Sequence, residues 1–386
     1  MKFCFFSAQY LPTVGGVERY TASLASQLIE KGHSVTVVTS SLPGLPPQEC
    51  GDDGINIVRL PAIPVMNGRF PVLKLSSEKK AFEKMFAEEK PDFCVIQTRF
   101  YTSSLFAARL CRKYKVPAIV VEHGTAYLMR GGIAGLMGRI YEHITCRYVH
   151  HLCPDFYGVS RACCQWLENF GIKTDRVLYN STDIDSITAK AAAGRKGLAE
   201  KLPDTENKKI IAFSSRLVPE KGVEQMIQAF EKIKEKYPDT LLVMAGDGPL
   251  WEKANSIKSD GVILAGRLPY EENLALIERG DVFCLPTFSE GFATTVLEAA
   301  ALKTVVLTTP TGGSPQLIVD DNHGLLFPDM QPDSICAALD RALADDEWRR
   351  KAAENAFDNL QKNFTWKITS ERLEKIASEK IQFRGN

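Results

Sequence analysis

Short apolar runs alternate with amphipathic segments along this chain, and the alternation occurs twice. In the first half, Lys2–Ser7 and Phe93–Ile96 have the composition of buried strands, and the segment Val17–Lys31 has helical spacing. The same order restarts at Ile210–Phe213. Parallel strands that are covered by helices on both faces have such continuous apolar runs. We therefore predict an α/β fold of two facing, doubly wound, Rossmann-like domains with an interdomain cleft.

The length and one polar segment locate the predicted domains. A chain of 386 residues suits two domains. An Ala/Lys-rich polar segment covers 184–208, and we interpret it as the boundary between them. The predicted organisation is an N-terminal domain at 1–182, a C-terminal domain at 183–365 and a terminal helical segment at 366–386.

Composition limits the class of protein and its partners. Lys and Arg number 47, as do Asp and Glu, so no global field favours nucleic acid. Ten cysteines are scattered without the spacing of metal ligands, which indicates reduced thiols and a cytoplasmic location. No window is long and apolar enough for a membrane span, and the N-terminus is too short for a signal peptide. We expect a cytoplasmic protein that at most sits on a membrane surface.

The stretch Pro286–Glu298 has the features of a ligand site. It follows an apolar run, contains Gly291 and leads into a helical segment, which predicts free amides at a helix start. Glu290 is predicted in the loop and Glu298 on the second helical turn, because eight residues separate them. Two carboxylates that bind two polyols, with a phosphate between them, fit a nucleotide sugar. An ordinary connection with solvated glutamates remains the alternative.

Two cations follow the first strand of the second half. Arg216 offers a bidentate fork to phosphate oxygens, and Lys221 offers a compact point charge. Together they are able to stabilise the charge that develops on a diphosphate leaving group. A surface loop with two solvated cations is the alternative.

The first half carries a glycine loop and a histidine at predicted strand ends. Gly15 and Gly16 follow the first strand, but G-x-G-x-x-G is absent and the second strand ends in Thr39-Ser40 rather than an acid, so a nicotinamide enzyme is disfavoured. His123 follows a strand at the edge where open parallel sheets bind ligands. A structural histidine is the alternative.

The segment Arg130–His151 is amphipathic and basic. Its apolar residues have helical spacing, and arginines and histidines accompany them. The apolar residues are Ile133, Leu136, Met137, Ile140 and Ile144. The segment is either a helix that rests on an anionic lipid surface or an ordinary domain helix with its apolar face inward.

Taken together, these motifs resemble the retaining glycosyltransferases of family 4, which have the GT-B fold. The likeness covers essentially the whole chain. Its carriers are Gly15-Gly16-Val-Glu18, Glu122-His123-Gly124, Arg216 with Lys221, and Glu290-Gly-Phe-x5-Glu298.

The resemblance implies a role for each matching residue. Glu298 would bind the ribose of the donor, and Glu290 with the amides of 291–294 would bind the sugar. The diphosphate would be held by Arg216, Lys221 and the amides near Gly16 and Thr295. His123 would contact the sugar, and the backbone of Arg267-Leu268 would border the base. The implied donor-binding set is Gly15, Gly16, Arg216, Lys221, Arg267, Leu268, Glu290, Gly291, Phe292, Ala293, Thr294, Thr295 and Glu298, and the implied catalytic set is His123, Arg216, Lys221 and Glu290.

The family also implies that no metal or other cofactor is needed, that the anomeric configuration is retained by front-face transfer, and that the terminal helix crosses back onto the first domain. The sequence departs from the family pattern at three positions. Ala293 stands where glycine is common, Ser181 where Asn-Gly-x-Asp is usual, and Gln316 where glutamate is expected. These departures bear on donor choice and on the interdomain link.

The main functional hypothesis is transfer of a hexose-type sugar from a nucleotide diphosphate, UDP favoured and GDP possible, to a lipid-linked or oligosaccharide acceptor. The alternatives are a sugar-nucleotide epimerase, a phosphorylase and a non-catalytic sugar-nucleotide-binding subunit. Asp183-Ile-Asp185 has the spacing of a cation site, but it lies in the interpreted boundary rather than at a strand end, and we predict no metal there.

Overall fold

The computed structural model describes residues 1–51, 53–66, 68–129, 131–202, 205 and 207–385. Its strands in chain order are β1 (Lys2–Phe6), β2 (Ser34–Ser40), β3 (Gln48–Cys50), β4 (Asn56–Leu60), β5 (Ala62–Val65), β6 (Phe70–Leu73), β7 (Phe93–Gln97), β8 (Ala118–Glu122), β9 (Phe156–Gly158), β10 (Lys209–Ser214), β11 (Thr240–Ala245), β12 (Val262–Gly266), β13 (Val282–Leu285), β14 (Val306–Thr308) and β15 (Leu325–Leu326).

The helices are α1 (Gly16–Glu30), α2 (Ser77–Glu89), α3 (Thr102–Lys113), α4 (Gly132–Leu152), α5 (Arg161–Leu167), α6 (Ile184–Lys201), α7 (Val223–Lys236), α8 (Trp251–Ile257), α9 (Tyr270–Arg279), α10 (Thr294–Ala301), α11 (Ser314–Leu317), α12 (Pro332–Ala344), α13 (Asp346–Asn363) and α14 (Trp366–Gly385). The chain divides into two compact units. Unit 1 comprises 1–180 and 366–386, and unit 2 comprises 181–365.

Unit 1 is built on a sheet whose order, within the described ranges, is β3-β4-β2-β1-β7-β8-β9. All neighbouring pairs are parallel except β3 with β4. The two faces bury different side chains because residues alternate along a strand. Phe3 and Phe5 pack toward α1 and α14, whereas Cys4 and Phe6 pack toward α2, α3 and α4. The sheet is therefore covered by helices on both faces.

Unit 2 repeats this architecture with a fully parallel sheet of order β12-β11-β10-β13-β14-β15 among its described residues. Its central strands are as apolar as predicted: Ile210, Ile211, Ala212 and Phe213 are fully buried. Helices α7 and α12 pack on each other, as do α6 and α9.

Each sheet has one point where the strand order reverses. In unit 1 the chain builds outward from β1 through β2 to β4 and then returns to β7 on the other side of β1. In unit 2 the reversal falls between β10 and β13. Open α/β sheets bind ligands outside the carboxyl ends of the strands at such a switch point. The loops that leave β1, β7, β10 and β13 are therefore the positions to search for a site.

The prediction that 184–208 is a boundary segment was wrong for most of its length. The stretch 184–201 forms α6, a helix of unit 2 that packs along α9. Its buried side includes Ala191 and Gly194, and a Cβ on Gly194 would lie 2.1 Å from the carbonyl oxygen of Glu271. The small residues let the two backbones approach at the middle of α6, between the larger buried residues Ile187 and Leu198.

The region 41–71 contains short strands besides β4: β3 pairs with β4, and β5 pairs with β6 in an antiparallel hairpin. A single bridge joins Val177 to Gly158 at the end of β9. Arg130, expected at the start of the basic helix, lies outside the described residues.

Candidate active site

The loops that follow β10 and β13 are joined by hydrogen bonds to one main-chain carbonyl. The amide of Phe288 donates to the carbonyl of Glu220 over 3.2 Å, and the Thr287 hydroxyl donates to the same carbonyl over 3.1 Å. Lys221 ends a short 3-10 turn, and Gly222 then adopts a left-handed φ of 61° before α7 begins. A Cβ on Gly222 would lie 2.7 Å from the carbonyl oxygen of Pro286, so glycine is required for this approach. The switch point of unit 2 is thus a tightly packed pair of loops.

Lys221 and Glu290 form an ion pair at this switch point. The ammonium of Lys221 donates to Oε1 of Glu290, and the two side chains are only 18% and 15% exposed. The Thr287 hydroxyl lies 3.5 Å from the same carboxylate oxygen. A pair that is mostly removed from water is screened less by salt than a surface pair. The structure therefore joins two residues that the sequence predicts separately as ligands of one substrate.

The loop after β14 supports the glutamate loop from the side. Gly312 has a φ of 61°, and a Cβ there would lie 2.7 Å from the carbonyl oxygen of Gly291. A Cβ on Gly313 would overlap the ring of Phe292. The Thr311 hydroxyl donates over 2.9 Å to the carbonyl of Thr287. The segment 309–315 thus fixes the main chain around Glu290 and Gly291.

Glu298 is buried and is held by a tyrosine. It lies on the second turn of α10, as the spacing predicts, and is 4% exposed. The hydroxyl of Tyr270, the first residue of α9, donates to its Oε1 over 2.9 Å. Tyr270 was not among the predicted site residues. Its position two residues after Leu268, a predicted border of the base, was the available signal.

The remaining predicted residues of unit 2 lie at the start of α10 and in the loops that follow β10 and β12. Ala293 is the N-cap of α10, and Thr294 and Thr295 begin it. The first amides of a helix have no partner within it and favour an anion. Arg216 is exposed in the loop before Lys221, and the amide of the next residue, Leu217, bonds the carbonyl of Asp247 after β11 over 2.9 Å. Arg267 is exposed and Leu268 half-buried between β12 and α9.

In unit 1, the predicted glycine loop begins α1. Gly15 is its N-cap and Gly16 its first residue. The carboxylate of Glu18 folds back onto this end: it accepts from the amides of Gly15 and of Glu18 itself, while burial raises its pKa. A Cβ on Gly15 would lie 2.4 Å from Oε2 of Glu18, whereas the space over Gly16 is open. A phosphate bound at the Gly15 and Glu18 amides would therefore replace this carboxylate.

His123 follows β8 and is oriented by its neighbours. Its Nε2 lies 2.6 Å from Oε1 of Gln97 at the end of β7, and its ring makes an edge contact with Tyr20. An amide oxygen only accepts, so Nε2 donates and Nδ1 is the ring's acceptor. Burial lowers the pKa of His123 to about 3 because the protein solvates the imidazolium poorly. The imidazole is therefore neutral at physiological pH.

A buried charge network fixes the segment around His123. Arg99 is fully buried and contacts Glu122 over 2.7 Å and Glu142 on α4 over 2.5 Å. The second oxygen of Glu122 accepts from the amide of Gly124 over 3.0 Å, and that of Glu142 accepts from the amide of Leu128 over 2.8 Å. Burial raises the pKa of Glu142. Arg99 was not predicted as a site residue, although it directly follows Gln97 and Thr98 at the end of β7.

A cavity of about 500 Å³ lies at the carboxyl ends of β1 and β2 in unit 1. Its lining mixes apolar residues such as Tyr10 and Leu42 with polar ones such as Gln9 and Ser41. Ser40 also lines it, and the Ser40 hydroxyl is buried without a hydrogen-bond partner in the described part of the chain. A buried hydroxyl without a partner favours a polar ligand group beside it.

The Asp183–Asp185 pair has a structural role. Asp183 caps α6, and its carboxylate accepts from the amide of Ser186 over 3.0 Å. Among the described residues, no three side chains of the metal-binding types are grouped closely enough to hold an ion.

Two family models match the chain. One, described as Glycosyltransferase Family 4, matches residues 14–186, and the other, described as Glycosyl transferases group 1, matches residues 195–359. Between them they cover both units.

Two curated relatives extend along nearly the whole chain. An uncharacterized glycosyltransferase of Methanocaldococcus jannaschii is 24% identical, with 97% of this chain and 98% of the relative aligned. A component of the human phosphatidylinositol N-acetylglucosaminyltransferase is 22% identical, with 97% of this chain and 75% of the relative aligned.

Two solved structures share the fold. Sucrose-phosphate synthase from Thermosynechococcus elongatus superposes with a TM-score of 0.77 at 18% identity, over 100% of both chains. Anabaena HepE, solved in complex with UDP and glucose, gives a TM-score of 0.73 at 15% identity, over 98% of this chain and 100% of HepE. The predicted α/β class of GT-B type, with two Rossmann-like units, is confirmed. In the described part of the chain, no helix has both the length and the apolar content to cross a membrane.

Proposed function

Because this chain belongs to the family 4 glycosyltransferases, we propose that it transfers a hexose-type sugar from a nucleotide-diphosphate donor to a lipid-linked or oligosaccharide acceptor. The observation that carries the proposal is the Lys221–Glu290 pair at the switch point of unit 2. The pair places two groups at one position. Lys221 is a cation suited to a phosphate, and Glu290 is a carboxylate suited to sugar hydroxyls.

Lys221 and Arg216 are the proposed electrostatic catalysts. When the bond between the anomeric carbon and the diphosphate breaks, the electron pair stays on the phosphate oxygen. Fixed positive charges and the first amides of α10 stabilise this oxygen as its charge grows. Glu290 already orients the ammonium of Lys221, and the side chain of Arg216 is exposed to solvent. Both cations are therefore available to a phosphate that enters from solvent.

Glu298 and Glu290 are the proposed recognition groups. Glu298 accepts from the ribose hydroxyls, and the Tyr270 bond sets the direction of its carboxylate. Glu290 accepts from hydroxyls of the transferred sugar, with the amides of 291–294 beside it. For unit 1, the proposal assigns donor contacts to the amides near Gly15 and Gly16 and to the ring of His123.

We propose that the anomeric configuration is retained and that no metal ion is needed. In front-face transfer the departing phosphate oxygen accepts the proton of the acceptor hydroxyl, so no carboxylate is required as a glycosidase-type nucleophile. The cationic side chains supply the charge that a metal would otherwise supply. We therefore expect the same activity with and without excess EDTA. A loss of activity in EDTA that added magnesium restores would contradict the proposed metal independence.

The donor base and the acceptor class are supported by relatives. HepE was solved with UDP and glucose, which supports UDP as the base. GDP is the alternative, because a mannosyltransferase of Mycolicibacterium smegmatis that is 31% identical over 193 residues is named GDP-mannose-dependent. The human relative is named for transfer to phosphatidylinositol, which supports a lipid-linked acceptor in cell-surface glycan or polysaccharide synthesis. The cavity beside Ser40 is the proposed acceptor region. Ten free thiols support a reducing, cytoplasmic location, with peripheral contact to a membrane.

A nucleotide-sugar panel tests the proposal. The full chain is assayed for transfer and hydrolysis, with Glu298→Ala and Lys221→Ala beside the matched controls Glu252→Ala and Lys196→Ala, both exposed in unit 2. We expect the wild type and both controls to turn over one donor of the panel. Neither site variant should turn it over. Near-normal turnover in the site variants would contradict the residue assignment. Binding without turnover on a broad acceptor panel would indicate a non-catalytic subunit. Conversion of the donor, without acceptor, to an isomeric sugar nucleotide would indicate an epimerase.

A further inference from the structure

The outward face of α4 is a continuous apolar stripe. Side chains three or four positions apart lie on the same face of a helix, and here the large apolar residues at such positions are exposed. Their exposed fractions are Ile133 80%, Leu136 58%, Met137 66%, Ile140 52%, Ile144 64% and Tyr148 39%. The stripe is about 22 Å long at 1.5 Å per residue.

The stripe is not the core face of the helix. The buried residues of α4 are on the opposite side, where they pack on the unit 1 sheet and hold Arg99. They are Gly135, Glu142, Thr145, Cys146 and Val149. The prediction of an ordinary domain helix with its apolar face inward was therefore wrong about the face: the core face of α4 is made mostly of small and polar residues, and its large apolar residues face solvent. Exposed apolar patches of this extent mark interaction surfaces.

The exposed charges of α4 itself have one sign. Glu142 is the sole acid within α4, all of which is described, and it is buried against Arg99. Arg139 and Arg147 are exposed on the same helix. Helix α3, which packs against α4, adds exposed Arg109, whose guanidinium lies 5.1 Å from the Tyr148 ring centroid. An apolar stripe with arginines and no exposed acid on its helix complements an anionic lipid headgroup layer above an apolar interior.

We propose that α4 lies in the interface of an anionic lipid bilayer, with the six stripe residues in the acyl boundary and Arg139 and Arg147 at headgroup phosphates. The purpose of this contact rests on the proposed function, because it would bring unit 1 to a lipid-linked acceptor. The proposed lipid contact itself is argued only from the exposure and charge of α4. If α4 does not bind lipid, the transferase proposal still stands, and if the chain is not a transferase, the lipid contact still stands.

Vesicle co-sedimentation of the full chain tests the surface without donor or acceptor. Vesicles of phosphatidylcholine alone are compared with phosphatidylcholine containing phosphatidylglycerol, for wild type, Ile140→Glu/Ile144→Glu and Arg147→Ser. Val319→Glu is the matched control, since Val319 is 58% exposed in unit 2. We expect wild type and control to bind the anionic vesicles. The double variant should bind on the order of a hundredfold more weakly, through lost apolar burial and added like charge. Arg147→Ser should bind about fivefold more weakly, and only on anionic vesicles.

Three results would overturn the proposal. They are no vesicle binding by wild type, equal binding by the double variant and wild type, or a wild-type dimer in sedimentation velocity that the double variant abolishes. The last result would show that the stripe joins two copies of the chain. An unchanged circular dichroism spectrum and an unchanged Tm of the double variant would show that unit 1, which contains α4, is still folded, so a binding loss would report on the surface of α4 alone.

Discussion

Removing both charges of the Lys221–Glu290 pair should cost less stability than the sum of the two single removals. The pair is only 18% and 15% exposed, so Lys221→Met leaves a largely desolvated carboxylate, and Glu290→Gln leaves a largely desolvated ammonium. Fully buried pairs lose about 3–5 kcal/mol in this way and exposed pairs less than about 1 kcal/mol. For an intermediate pair we expect about 2 kcal/mol for each single variant, and about 4–8 °C in Tm for a unit of this size.

The double variant Lys221→Met/Glu290→Gln separates stability from activity. It removes both charges together, so its loss should fall short of the sum of the single losses by about 1–2 kcal/mol. It should nevertheless be inactive, because the proposed phosphate and sugar ligands are both gone. Urea denaturation gives the coupling energy, and donor turnover is measured on the same samples. Additive losses within about 0.5 kcal/mol, or an active double variant, would refute the reasoning.

Three other predictions concern single side chains. His123 has a folded-state pKa near 3 against about 6.5 unfolded, so wild type should lose stability as pH falls from 6.5 to 4, by less than about 1.4 kcal/mol per pH unit. The Tm of His123→Gln should show less of this fall, and parallel profiles would contradict it. Arg99→Met leaves two buried carboxylates and should lower the free energy of unfolding by about 3–5 kcal/mol, whereas a loss below about 1 kcal/mol would deny the network a structural role. Tyr270→Phe should reduce kcat/KM for the donor about tenfold through KM, and an unchanged KM would show that the Glu298 carboxylate needs no such support.

The strands and most helices were predictable because the sheets are covered on both faces. Such strands require uninterrupted apolar runs, and β1, β7, β10 and β13 all have them. Elements without that requirement were missed. The hairpin β5–β6 contains Pro64 and Pro71 directly opposite each other, and its exposed residues give no alternation. Helix α6 was missed because only two of its four buried residues, Ile187 and Leu198, are large and apolar.

The motifs of the site were visible in sequence, but their contacts were not. Glu290 and Lys221 are 69 positions apart, and their pairing depends on β10 and β13 being neighbours in the sheet. Strand order cannot be derived from hydrophobic periodicity, since every buried parallel strand has the same pattern. Tyr270 and Arg99 were missed for the same reason: each is an ordinary residue at a strand or helix end until the fold brings a carboxylate to it.

We propose above all that the strand edge of unit 2 binds a nucleoside diphosphate through Lys221 and Glu298. Calorimetric titration of the full chain with UDP and with GDP tests it most directly. We predict that wild type binds one of the two, UDP favoured, and that Lys221→Ala and Glu298→Ala each weaken this binding by at least about tenfold, since each removes a charged hydrogen-bonding partner. Equal affinity in wild type and both variants would contradict the account.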